Sequence, residues 1–153
     1  MRPAGSLARA WLYTALVAAV VVLLDQLSKA AIRGSITPGE THSILPGVQF
    51  VNTRNRGVAF GFLPGRHFAV SMLVAVALLV LVAYFARNYT RPLIWLPTGM
   101  LIGGALGNVL DRIRAGSVTD FVKLPLGWPP FNLADASITV GVLLLFLLAE
   151  RRE

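Results

Sequence analysis

Residues 68–86 read "FAVSMLVAVALLVLVAYFA", an apolar run without a charge. A helix needs roughly 20 such residues to cross the hydrocarbon of a bilayer. Three more stretches share that character: about Leu7–Ile32, purest over Trp11–Leu24; Leu93–Leu110; and about Leu133–Ala149, which holds "GVLLLFLLA". The totals agree. Of 153 residues, 56% are hydrophobic and 14% charged, where a soluble domain carries about 25% charge; the mean hydropathy is +0.69. The expected fold is an all-α membrane protein with four transmembrane helices at about 7–32, 68–86, 93–110 and 133–149. The length fits one domain, 1–153, with extracytoplasmic loops at about 33–67 and 111–132.

The first stretch has the basic start of a signal peptide, Arg2 and Arg9. But "DQLSK" follows its apolar core with no small-residue cleavage pattern between them, so a retained helix is expected. Four spans put both termini on one side. Arg2, Arg9, Arg87, Arg91, Arg151 and Arg152 crowd the short segments there, while the basic residues opposite are spread through longer loops. The positive-inside rule then sets both termini in the cytoplasm. The net charge of +7 points to anionic lipid headgroups rather than nucleic acid. Without cysteine there is no disulfide, thiolate ligand or Cys nucleophile.

The loop from Arg33 to His67 is too long for a mere connection. Val48, Phe50 and Val51 suit a strand, "NRG" (Asn55–Gly57) a turn, and "VAFGFL" (58–63) a second strand or a short surface helix. "FVKLPLG", after Asp120, suits another short strand. These segments predict a small extracytoplasmic platform. In the third span, Gly99, Gly103 and Gly107 recur every four residues, on one face, where another helix can approach closely.

Polar residues are costly in such a chain. Asp25 and Lys29, at the outer end of the first span, have the i,i+4 order of a helical ion pair; a structural pair and a role in a site both remain open. Ser28 and Lys29 are adjacent on a helix and face different ways, which speaks against a Ser–Lys dyad. Asn108, Asp111 and Arg112 share a face, as a solvated cluster or as part of a site. Only His42 and His67 are available as imidazole ligands, outside any HExxH pattern, so no metal is expected. Asp120 and Asp135 each end a capping-type pattern, "SVTD" and "NLAD"; Asn132 would cap the fourth helix with Asp135 in its first turn. Alternatively the two carboxyls face each other. In a poorly hydrated site they would then share a proton, one acting as base and one as acid against a peptide bond.

Four blocks carry a resemblance: "DQLSK" (Asp25–Lys29), "NRGVAFGFL" (Asn55–Leu63), "GGALGNVLDRIRAGSVTDF" (Gly103–Phe121) and "FNLADASI" (Phe131–Ile138). In this order, over essentially the whole chain, they resemble the lipoprotein signal peptidase family (signal peptidase II), bacterial intramembrane aspartic peptidases. The resemblance implies four membrane helices with a small extracytoplasmic β-cradle, and Asp120 and Asp135 as the catalytic pair. It implies that Asp25, Lys29, Asn55, Asn108, Arg112 and Asn132 line or support the site. It implies a diacylglyceryl-modified prolipoprotein as substrate, cut before the modified cysteine in the cell membrane, with no cofactor. A monomer is expected. "TRNRG" carries an additional arginine beside Asn55. Two other classes compete: a small transporter, which lacks support from paired broken helices or an inverted repeat, and a non-enzymatic assembly factor whose aspartates only cap helices. Both predict no peptide cleavage.

Overall fold

The computed structural model describes residues 4–56 and 67–150. In chain order they form α1 (Ala4–Ser35), β1 (Thr41–Leu45), β2 (Val48–Asn55), α2 (His67–Asn88), α3 (Trp95–Ala115), β3 (Val118–Lys123) and α4 (Leu133–Glu150). The "VAFGFL" segment and the far side of the "NRG" turn lie outside the described residues.

Glycine spacing decides how the helices meet. A Cβ on Gly99 would lie 2.6 Å from Val17, one on Gly103 2.8 Å from the Ala18 carbonyl, and one on Gly107 2.6 Å from an Asp25 carboxylate oxygen. The glycine ladder therefore seats α3 against α1, and because the contacts advance together the two helices run the same way. Gly104, one residue off the ladder, is in the same relation to Ala134 and Ile138, and Gly141 packs on Pro97 and Leu101. Here the order reverses, so α4 runs opposite to α3. At one end of the helices Ala10, Phe85 and Ile94 form a buried cluster with Trp11, Tyr84, Tyr89, Trp95 and Leu145 packed around it. The sheet occupies the other end, held by Ile32, Ile36 and Phe121 with Phe50 and Val122.

The sheet is antiparallel, in the order β1-β2-β3. Opposite Asp120 on β3 stands Thr53 on β2, and a bridge from Val122 to Phe131 ties the chain leading into α4 back to β3. The strand containing Asp120 starts two residues before it, so "SVTD" is not a helix cap: the run after it stops at Pro125, too soon for a helix. "NLAD" does open a helix.

The surface is apolar and part of the interior is charged. Leu12, Leu16, Val20, Leu23 and Leu27 of α1 are each more than half exposed, while Asp25 and Lys29 are fully buried. Among the described residues, one helix alone has the length and apolarity to cross a membrane, over Leu7–Ser35; Val76–Asn88 and Leu133–Leu148 are shorter apolar runs.

Candidate active site

The site is built where α1, α3, β3 and the start of α4 converge. Asn132 precedes α4, and its side-chain oxygen accepts from the Asp135 backbone N–H at 2.9 Å; the Asp135 carboxylate in turn accepts from the Asn132 N–H at 3.4 Å. This reciprocal arrangement satisfies donors that a helix start leaves without intrahelical partners. Another, on Ala134, is taken at 3.0 Å by the Asp25 carboxylate from α1, an anion in favourable register with the helix dipole.

Asn132 does more than cap. Its side-chain Nδ2 donates to Asp120 Oδ1 at 2.6 Å, so a single amide contacts both segments carrying the aspartates. The other Asp120 oxygen accepts from Asn55 Nδ2 at 3.0 Å. Pairing opposite Thr53 of β2 places Asp120 in the part of β3 that is buried on both faces, 3% exposed. Burial, then the Asp135 carboxylate, push Asp120 up from 3.8 to about 6, against the pull of the Asn55 and Asn132 hydrogen bonds and the Lys29 charge. Asp135 accepts from Asn108 Nδ2 at 2.8 Å.

Behind the amides lies an ionic cluster. Lys29 Nζ is 2.7 Å from Asp25 and 3.2 Å from Asp111. It also donates to Asn108 Oδ1 at 3.0 Å. That bond fixes which way the Asn108 amide points, and so presents its NH₂ group to Asp135. Ser28 donates to the Asp25 carbonyl within its own helix, leaving no Ser–Lys contact. Asp111 accepts from the Thr119 backbone N–H at 3.1 Å and thereby clamps β3 one residue before Asp120. Arg112 reaches the Asn108 carbonyl at 3.4 Å and lies within electrostatic range of Asp135, Asp120 and Asp111.

The structure thus joins Asp25, Lys29, Asn55, Asn108, Asn132, Asp120 and Asp135 in a connected polar network, with Arg112 beside it. Asp111 emerges as a full member. Sequence reasoning missed Gln26, whose amide donates to Asp25, the Gly107 carbonyl and Asp111 at 3.0–3.1 Å. Its position one residue after Asp25 on a helix that must bury that acid was the available signal. Among the described residues no three His, Cys, Asp or Glu side chains converge as metal ligands would. What the arrangement can do is hold two carboxyls, Asp120 buried and Asp135 half-buried, on amide donors, a setting for general acid–base work.

The family model described as "Signal peptidase (SPase) II" matches residues 17–150. The chain is 38% identical over 139 residues to the lipoprotein signal peptidase of Halothermothrix orenii, covering 90% of this chain and 95% of that one. With the lipoprotein signal peptidase of Syntrophomonas wolfei it shares 42% over 138 residues, 88% of this chain and 92% of the other. A solved structure described as "Bacterial membrane enzyme structure by the in meso method at 2.3 A resolution" superposes with a TM-score of 0.83 at 30% identity, over 90% of this chain and 87% of that one. A second, described in the same words at 1.9 Å, gives 0.80 at 31%, over 92% and 93%.

Proposed function

The chain belongs to the signal peptidase II family, and from that premise we propose that Asp120 and Asp135 are the catalytic pair of an aspartic endopeptidase that removes the signal peptide of prolipoproteins. The observation that carries this reading is the amide cage: Asn55, Asn108 and Asn132 donate to the two carboxyls, and Asn132 links both. The hydrogen bonds to the carboxyls come from neutral amides, with Lys29 and Arg112 as cations nearby, and the two carboxyls oppose each other's ionisation, so one proton can be shared by the pair.

The chemistry follows. The ionised carboxyl takes a proton from a water between the two, as the water oxygen bonds to the scissile carbonyl carbon. The protonated carboxyl gives its proton to the carbonyl oxygen, producing a tetrahedral diol. As the diol collapses, one hydroxyl proton returns to the pair, the C–N bond breaks, and the leaving amine takes a proton from the other carboxyl. The pair ends with the single proton it began with. Arg112 supplies positive charge beside it. The cut falls before a diacylglyceryl-modified cysteine, whose lipid partitions laterally and fixes the peptide at the depth of the pair. An apolar hollow of about 470 Å³ between α2, α3 and α4 is lined in part by Ile138, about one turn beyond Asp135, and suits that apolar substrate.

The four helices cross the cell membrane, with both termini in the cytoplasm and the sheet outside, in one domain. Two features support this: the apolar outward faces of the helices, and the cluster of partly buried Trp11, Tyr84, Tyr89 and Trp95 at the end away from the sheet, residue types enriched at membrane interfaces. The protein acts as a monomer without cofactor. The test is purified full-length protein in uncharged detergent with a diacylglyceryl-modified precursor, followed by gel shift. Cleavage before the modified cysteine is expected. Absence of cleavage, or equal cleavage of an unlipidated precursor, would contradict the proposal.

A further inference from the structure

The outward seam between α1 and α3 lies on a different side of α3 from the residues that meet Asp135. It forms a groove of about 600 Å³. Its α1 wall is low at Ala15, Ala18 and Ala19 and rises at Val22 and Leu23, and its α3 wall is Ile102, Leu106 and Leu110, spaced every fourth residue. The close approach of Gly103 to Ala18 sets the floor. From Ala15 to Gln26 the groove runs roughly 16 Å at ~1.5 Å rise per residue, about half of the ~30 Å hydrocarbon thickness. That is the depth of one leaflet.

The groove is apolar except at one end, where Gln26 and Arg114 line it. Gln26 spends its NH₂ group inward on Asp25, Gly107 and Asp111. Its carbonyl faces the other way and accepts from Arg114 Nη1 at 3.3 Å. Arg114 is itself exposed, so a guanidinium is held at the polar end of a leaflet-deep apolar channel. The nearby acids Asp25 and Asp111 are paired with Lys29.

We infer that this seam binds an anionic phospholipid of the outer leaflet, with an acyl chain along the α1–α3 groove and the headgroup phosphate on Arg114. Apolar length and terminal cation together match that molecule. A free phosphate would use only the cation; a zwitterionic lipid would use both, but its own ammonium offsets the phosphate charge beside Arg114 and weakens the contact. The inference rests on the membrane-spanning reading above.

The experiment is native mass spectrometry of the full-length protein released from uncharged detergent, titrated with phosphatidylglycerol or with phosphatidylcholine of the same chains. Wild type should retain phosphatidylglycerol more tightly, on the order of five-fold, the effect of one basic residue on an anionic headgroup. Arg114→Gln should level the two lipids, and Ala19→Phe, which fills the channel, should weaken both. Inorganic phosphate should not displace the lipid. Equal retention of both lipids by wild type, a preference that survives Arg114→Gln, or displacement by inorganic phosphate would overturn the inference. Precursor cleavage is measured on the same samples. Wild type that keeps the lipid preference but does not cleave contradicts the peptidase proposal alone; cleavage without the preference contradicts this inference alone.

Discussion

Two groups of acids lie side by side in this protein, Asp25, Asp111 and Asp120 buried and Asp135 half-buried, and they are wired differently. Asp25 and Asp111 share Lys29, at 2.7 and 3.2 Å. Asp120 and Asp135 instead receive amide donors from Asn55, Asn108 and Asn132. A buried cation in contact makes a carboxylate part of an ion pair that is costly to break; amides orient a carboxyl and leave room for a proton on it. The first group is therefore a scaffold, and the second is the one suited to chemistry. Lys29 and Asn108 connect them, so the scaffold aims the amide that faces Asp135.

The contrast can be broken first at the pair. Asp120→Asn or Asp135→Asn should lower precursor cleavage by about two to four orders of magnitude, the usual worth of a positioned acid or base. The fold should stay intact, as circular dichroism in detergent would report. Near-normal cleavage by a folded Asp120→Asn protein would place both acid groups in the scaffold class.

The scaffold should fail in the opposite sense. Lys29→Met leaves Asp25 and Asp111 buried without their cation, a loss of about 3–5 kcal/mol, read as a large fall in thermal unfolding temperature. A Lys29→Met protein as stable as wild type but inactive would assign Lys29 to the chemistry instead. Asn132→Ala removes both a helix cap and a donor to Asp120. The cap costs about 0.5–2 kcal/mol, while the lost donor should move the pH–rate profile upward, because that hydrogen bond holds Asp120 down.

A smaller effect separates the groups by pH. Folding raises Asp120 from 3.8 to about 6, so the folded state binds this proton more tightly than the unfolded chain. Its stabilising contribution is complete below 3.8 and is lost as pH rises through about 6. Wild type should therefore lose unfolding temperature across that window relative to Asp120→Asn, which has no such proton. Parallel curves for the two proteins would remove the claim that Asp120 titrates there.

Much of this was legible in the chain. Apolar runs fixed the helices within a few residues: α2 was expected over 68–86 and spans His67–Asn88, and α4 over 133–149 and spans Leu133–Glu150. The third helix runs past its apolar part to Ala115, because Arg112 and Arg114 suit a helix end, and it stops at Gly116 with φ 65°. β1 was missed: "THSIL" is exposed throughout, so no alternation marks it, although Pro46-Gly47 before β2 was a usable turn signal. The equal look of "SVTD" and "NLAD" also misled. A capping pattern is local, and only the length of the run after it separates a strand from a helix. The acids themselves were easy to find in an apolar chain. Their division into an ion-paired and an amide-held group was not, since it depends on side chains brought together from α1, β2, α3, β3 and the start of α4.

The most direct measurement is kcat against pH with saturating lipidated precursor in uncharged detergent. A pair sharing one proton needs one acid and one base at once. The rate should then trace a bell whose two apparent pKa values belong to the pair. A rate that climbs steadily to high pH would mean a lone base, and the shared-proton account of Asp120 and Asp135 would be wrong.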